Sequence, residues 1–404
     1  MMPISRARFL TFVDNYLPGY KYGGPIRAVR NVVQALAEHA EFHIVTRDRD
    51  LGDVHPFRDV PTSWSTVEGA QVLYVSPNEL SVGGIGRIVR GLEFDGIYLN
   101  SFFSRLTSKV LLLRRLGRLP DIPIVVAPRG ELAPAALAIR AGRKRAFMRV
   151  ARATGLYDGV TWQACSDHEA ADIHAMLPRF CTGPGNVAIA PDFPAPSYLE
   201  RYAPRPMPKE AGRLDMVFVG RLTPMKNLLG ALRLLGGVSG HVTFDIYGPI
   251  GDERYWAKCE ALIADLPSNV QVAYRGMIHH TEVGRVLAAK DVFFLPTLGE
   301  NYGHAIIEAL GAGCPILISD RTPWRALEES GVGWDVALHD TARYCAVIDE
   351  LIAMDATRHE ALRRSALAYA QRVETDPVVL EQNRLLFSAT AQPSAAMIPL
   401  TRFM

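Results

Sequence analysis

The sequence predicts an α/β protein made of two doubly wound parallel-sheet domains. Three observations carry that prediction: strand-like and helix-like segments alternate through both halves, the strands are apolar on both faces, and a proline-rich stretch interrupts the alternation between them. Strands apolar on both faces belong to a parallel sheet covered by helices on two sides. At 404 residues the chain exceeds one core of ordinary size, and about 150 residues per domain gives two or three units.

Taken in order, "RFLTFVD" reads as a strand, "PIRAVRNVVQALAEH" as a helix with apolar residues at helical spacing, and "EFHIVTRD" as a second strand. "GIYLNS", the helical "SRLTSKVLLLRRLG" and "IPIVVAPRG" continue the pattern. The segment "APDFPAPSYLERYAPRPMPKEAG" carries six prolines from Pro191 to Pro208, which helix interiors and central strands do not accept, so it reads as an interdomain linker. Alternation then resumes with "LDMVFVG", "NLLGALRLLGGV", "VTFDIYGP", "NVQVAYRGM", "DVFFLPT", "GHAIIEALGAG" and "CPILISD". From "TARYCAVIDELIAM" to Leu386 the pattern is helical, and the remainder reads as a loosely ordered tail. The predicted boundaries are 1–192 for the first domain, 193–212 for the linker and 213–370 for the second domain. Residues 371–404 form a C-terminal helix packing back toward the first domain, plus the tail.

Composition narrows the class. With 49% hydrophobic and 21% charged residues the chain is globular, and a formal net charge of +2 gives no global field for nucleic acid. Five cysteines, widely spaced and without a CxxC pair, argue against a disulfide framework or a zinc site and for a reducing compartment. The apolar run after the N-terminal arginines ends at Asp14, too short for a signal-peptide core, and no run reaches the ~18 apolar residues of a membrane span. The expected location is cytoplasmic.

Three stretches carry chemistry. In "DVFFLPTLGENYGHAIIEAL" a strand gives way to a loop and then to a helix beginning near Gly303. Amides at a helix start, with the positive end of its dipole, suit a phosphate, and Gly299 and Gly303 let a ligand approach the backbone. Glu300 and Glu308 would repel phosphate but accept bonds from sugar hydroxyls; the alternative is a surface loop with a helix cap. In "FVGRLTPMKN", Arg221 and Lys226 follow a strand, where they either neutralise a diphosphate or merely solvate a loop. In "YLPGYKYGGPIRAV", Gly23 and Gly24 precede Pro25 at a plausible first helical position, which is an anion site or a simple turn.

Together these stretches, with "YGP" after a strand and the E-x7-E element ending in "EALGAGCPILISD", resemble the retaining glycosyltransferases of family four, which have the GT-B fold of two Rossmann-like domains facing across a cleft. The resemblance covers nearly the whole chain. It implies a sugar nucleotide held mostly by the second domain, with the first domain on the acceptor side. Arg221 and Lys226 would contact the diphosphate, with Gly24 closing over it and Gly23 a further substrate-binding residue. Glu300 would bind the donor sugar with help from Asn301, Tyr302, Gly303 and His304, Glu308 would bind the ribose, and Ile278 and His279 would lie where the base is seated. The acceptor would be a glycan or a lipid-linked glycan of polysaccharide biosynthesis, lipopolysaccharide or exopolysaccharide, with neither metal nor other cofactor. Front-face attack, with the leaving phosphate taking the acceptor proton, is the mechanism implied.

One place departs from the family. Where many members carry a histidine after the strand matching "IPIVVAPRGEL", this chain has Pro128, Arg129, Gly130 and Glu131, so Arg129 and Glu131 become catalytic candidates; the alternative pairs them for structure. Asn100, ending another strand, is an acceptor-side candidate. Asp48 and Asp50 of "RDRD" read as a salt-bridged loop rather than a metal site. "RAGRKRAFMRVAR", from Arg140 to Arg152, is a basic amphipathic helix, either a solvated face or a contact with an anionic membrane surface. The rival readings are a sugar-nucleotide epimerase on the same scaffold and a non-catalytic sugar-nucleotide-binding subunit. A nicotinamide dehydrogenase is disfavoured because no GxGxxG follows the first strand.

Overall fold

The computed structural model describes residues 6–195 and 209–388, so most of the predicted linker and the end of the tail lie outside the described residues. The chain divides into two compact units. The first runs to Phe193 and takes up the chain again from Pro377; the second runs from Pro194 to Asp376. The expected boundary at 371 falls inside the helix Ala356–Glu374, and the chain changes unit three residues after that helix ends.

The first unit holds β1 (Ala7–Phe12), β2 (Ala40–Arg47), β3 (Ser65–Val67), β4 (Ala70–Val75), β5 (Gly96–Asn100), β6 (Ile124–Ala127), β7 (Thr161–Ala164) and β8 (Asn186–Ile189). They form one sheet in the order β3-β4-β2-β1-β5-β6-β7-β8. All pairings are parallel except β3 with β4, where Glu68 and Gly69, both at positive φ, turn an antiparallel hairpin at the edge that the expectation of a parallel sheet did not include. In β1, Phe9 packs into the core on one face while Leu10 and Phe12 pack into the core on the other, which is why its residues read as a continuous apolar run. The helix Pro377–Leu386 belongs to this unit, and Phe387 beyond it inserts among Phe9, Phe42 and Tyr98 at ring distances of 5.2, 5.3 and 4.9 Å.

The second unit holds β9 (Arg213–Val219), β10 (His241–Tyr247), β11 (Val270–Gly276), β12 (Val292–Leu295), β13 (Ile316–Ser319) and β14 (Gly333–Val336), all parallel, in the order β11-β10-β9-β12-β13-β14. Numbered within the unit this is 3-2-1-4-5-6, the doubly wound order of dinucleotide-binding sheets. The chain moves outward from β9 to β11, then returns to the other side of β9 as β12. The strand order therefore reverses between β9 and β12, the switch point outside whose carboxyl ends open α/β sheets bind ligands.

Behind this sheet a polar group is fully buried. His359, on the helix Ala356–Glu374, donates from Nε2 to the carbonyl of Asp291 at 2.9 Å, with the Asp291 carboxylate, Lys209 and Arg363 around it. Burial holds the imidazole below its ordinary value. The unfolded chain takes up the proton first, so the neutral ring's contribution to stability is complete above about pH 6.5 and is lost as the pH falls. Scanning calorimetry is expected to show a melting temperature that drops, as the pH falls below about 6.5, more steeply for the parent than for His359→Gln. Parallel pH profiles would remove this histidine as the cause.

Candidate functional site

The switch point of the second sheet gathers most of the predicted ligand-binding residues. β9 ends at Val219, and Gly220, Arg221 and the short 3-10 turn Pro224–Lys226 follow. β12 ends at Leu295, and the loop from Pro296 to Tyr302 leads to the helix His304–Gly311. The two loops are bonded to each other: Met225 O accepts from Leu298 N at 2.8 Å and from Thr297 Oγ1 at 2.9 Å, and Asn227 Nδ2 donates to Pro296 O at 2.8 Å. Asn227 takes a left-handed conformation, φ 54°, to make this turn. Through these bonds Lys226 Nζ meets Glu300 Oε1 in an ion pair, although the two are far apart in the chain.

A bare ledge of backbone borders the crevice. Gly220, Gly248 and Gly276 stand at the carboxyl ends of the adjacent strands β9, β10 and β11, joined by Gly220 N to Tyr247 O at 3.0 Å and Gly248 N to Gly276 O at 2.9 Å. At Gly248, φ 138°, an added Cβ would lie 2.0 Å from Gly220 O, so only glycine fits. The "YGP" motif is thus a close approach of two strand ends. Arg221 is exposed, and its Cγ runs over Gly251, where an added Cβ would come within 2.8 Å of it. Tyr274 donates its hydroxyl to Gly248 O at 3.0 Å. Its ring lies 4.7 Å from that of Trp256, giving this edge an aromatic wall. Ile278 packs partly on the core, and exposed His279 caps the helix His280–Ala288.

Gly303, φ 83°, is the N-cap of the helix His304–Gly311, in agreement with the expected helix start. The loop before it is fixed in place: Trp324 Nε1 donates to Tyr302 O at 2.5 Å, Glu300 N donates to Arg321 O at 3.0 Å, and the Tyr302 ring lies 4.9 Å from His304. Tyr302, His304 and Glu308 are buried, and Asn301 is half-buried. Glu308 lines a small concavity with Pro194, Ala195, Ile307, Gly311, Ala370 and Glu374. The arrangement joins one cation and one carboxylate, Lys226 and Glu300, where the exits of β9 and β12 meet, with Arg221 earlier in the same loop as Lys226 and the helix start at His304 just after Glu300.

In the first unit the candidates lie at a helix start and in two loops after strands. Gly23, φ 70°, is the N-cap of the helix Gly24–Ala35, so Pro25 is the second helical residue rather than the first. The preceding loop is held by Asp50, whose buried carboxylate accepts from Tyr20 N at 2.9 Å, Lys21 N at 3.2 Å and Leu51 N at 2.7 Å. Of the "RDRD" pair, Asp48 does make the expected salt bridge, to Arg49 at 2.8 Å, whereas Asp50 organises the glycine loop instead.

Arg129 and Glu131 are not paired to each other. Arg129, φ 58°, is half-buried with its side chain only 6% exposed, and its guanidinium donates to Asp192, to Tyr98 Oη at 2.6 Å and to Asn100 Oδ1 at 2.9 Å. Tyr98 in turn donates to Gln163 Oε1 at 2.7 Å. Asn100, proposed from sequence for the acceptor side, is therefore a buried partner of this arginine. Glu131 accepts from Ser101 Oγ at 2.8 Å and Phe103 N at 3.0 Å, and burial raises its carboxyl above the usual range. Glu169, which sequence reading missed, accepts from Gly130 N at 2.6 Å and Cys165 N at 2.8 Å and fixes the same loop. The capping-box spacing Ser166-x-x-Glu169 was the signal that marks it.

The basic segment forms the helix Ala141–Thr154, entered through Arg140 at φ 55°. Arg143, Arg145, Arg149 and Arg152 are exposed, with Val150 exposed among them. Lys144 is not part of that face: it turns inward, donates to Ala136 O at 2.7 Å and lies 4.8 Å over the Phe103 ring. No described helix is long and apolar enough to cross a membrane.

The chain is similar to known proteins over part of its sequence and most of its fold. The 2-deoxystreptamine glucosyltransferase of Streptomyces kanamyceticus is 28% identical over 132 residues, 32% of this chain and 34% of that protein. The D-inositol 3-phosphate glycosyltransferase of Mycobacterium marinum is 27% identical over 183 residues, 44% of this chain and 39% of that protein. The matched stretches thus span well under two thirds of either relative's length. The solved structure of Anabaena Alr3699/HepE in complex with UDP and glucose has a TM-score of 0.66 at 14% identity, covering 93% of this chain and 98% of that one, a likeness of fold. Residues 203–367, which contain the glycine ledge and the whole crevice of the second sheet, match the model of the glycosyl transferases group 1. That stretch is similar to the glycosyl transferases group 1, and the chain has the GT-B fold.

Proposed function

We propose that this protein is a retaining glycosyltransferase of family four that moves a sugar from a nucleoside diphosphate to a glycan or lipid-linked acceptor, without a metal. The observation that carries the reading is the convergence of Arg221, Lys226, Glu300 and the helix start at His304 on one switch-point crevice. As the bond to phosphate breaks, negative charge grows on the leaving diphosphate; Arg221, Lys226 and the helix dipole stabilise it where it develops. Glu300 accepts bonds from the sugar and Glu308 from the ribose. That two similar proteins are named glycosyltransferases, and that a structural neighbour is in complex with UDP and glucose, supports a UDP-sugar as the first donor to try.

The test is a thermal-shift screen of nucleoside diphosphates and their sugar conjugates, followed by transfer assays with the best donor in excess EDTA. Stabilisation by one nucleotide series, chelator-resistant transfer and product of unchanged anomeric configuration are expected. Nucleotide isomerised without transfer would make the protein an epimerase, binding without turnover would make it a binding subunit, and activity restored by manganese or magnesium would overturn metal independence.

The exposed arginines of the helix Ala141–Thr154 support a second element of the proposal, peripheral contact with an anionic membrane surface on the cytoplasmic side. Replacing Arg143, Arg145 and Arg149 by glutamate is expected to abolish sedimentation with phosphatidylserine vesicles at low salt and to leave nucleotide binding unchanged. Equal sedimentation of variant and parent would leave the helix a solvated face.

A further inference from the structure

Two groups that the proposed function assigns to different parts of one ligand are ion-paired to each other, Lys226 through Nζ and Glu300 through Oε1. They differ in freedom. The Glu300 side chain is 9% exposed on a loop tied to Arg321 O, whereas Lys226 is 27% exposed at the end of a flexible four-carbon stem. The carboxylate is the fixed member and the ammonium the mobile one.

A diphosphate that approaches Lys226 therefore meets a cation already neutralised, and two anions compete for it. A sugar attached to that diphosphate changes the balance. Its hydroxyls donate to Glu300, whose two oxygens have sites for several hydrogen bonds, so the carboxylate keeps partners when the lysine turns to phosphate. A bare nucleoside diphosphate brings no such donors. We infer that Glu300 is a specificity-determining residue: by competing for Lys226 it makes the site discriminate against the free nucleoside diphosphate in favour of the sugar-bearing one. The inference rests on the nucleotide-sugar reading of this crevice. Discrimination by a repulsive element built against the wrong ligand is a general device, and here it also favours release of the diphosphate once its sugar has been transferred.

The test is isothermal titration calorimetry of the full chain with free UDP, GDP and ADP and with their glucose conjugates. Glu300→Gln is expected to bind the preferred free nucleoside diphosphate about fivefold tighter than the parent, the size of a partly exposed ion pair's coupling. It is expected to bind the sugar conjugate no tighter. The gain must vanish when Lys226→Gln is the background, and Glu300→Ala, as a second variant, must reproduce it. If the parent binds a free diphosphate and neither Glu300 variant binds it more tightly, the inference fails and the nucleotide-sugar reading stands. If the parent binds no nucleoside diphosphate and no sugar conjugate, the reading of the crevice fails and the inference with it.

Discussion

Asp192→Ala is expected to destabilise the first unit by about 3 to 5 kcal/mol, because it leaves the buried guanidinium of Arg129 without its counter-ion. Burial alone disfavours the charged guanidinium, and Asp192 is the largest of the influences that oppose it. The remaining hydrogen-bond partners, Tyr98, Asn100 and the thiol of Cys165, are neutral and do not replace a charge. Removing both members of the pair tests the cause: Asp192→Leu with Arg129→Met is expected to recover most of the loss, since a well-packed apolar pair is often no worse than a buried ion pair. Urea unfolding followed through Trp162, buried in the first unit, measures it. An Asp192→Ala variant within about 1 kcal/mol of the parent would mean that water or another group solvates the arginine. The same result measures how much the Arg129–Asp192 pair holds the loop after β6 in place.

Loss of either cation at the second sheet's switch point should be the largest effect on activity. Arg221→Ala and Lys226→Gln are each expected to lower kcat/KM by about 100- to 1,000-fold, the scale of removing one preorganised donor to developing charge. The double variant should lose much less than the product of the two, because both cations serve the same diphosphate. Initial rates with the donor found by thermal shift decide it, and a loss below about threefold for both variants would remove them from the transition state. Melting temperatures without ligand must stay near the parent's. Arg221 is exposed and Lys226 part-buried, so neither carries the fold.

How much of this was legible in the sequence follows from the range of each interaction. The helix start at Gly303, the glycine turn before the helix Gly24–Ala35 and the strand ends at Asn100, Ala127 and Val219 were readable because they rest on local period and local turn chemistry. The motif residues of the second unit were placed correctly at strand carboxyl ends for the same reason. The edge hairpin of β3 and β4 went unread because three residues are too few to show alternation.

The sequence by itself determined two α/β units, the class of each sheet and the stretches that would border a ligand. Only the tertiary structure decided which of those residues meet. The 3-2-1-4-5-6 order brings the exits of β9 and β12 together, so Lys226 pairs with Glu300 across 74 positions. The folding of the first sheet gives Arg129 to Asp192, 63 positions away, and not to Glu131 two residues on. It also turns Lys144 inward from a face that periodicity had counted as basic. The physical reason is the same in each case: period and composition say which side of an element is buried, but a buried charge takes whichever counter-charge the packed chain brings within reach, and that depends on strand order rather than on sequence separation.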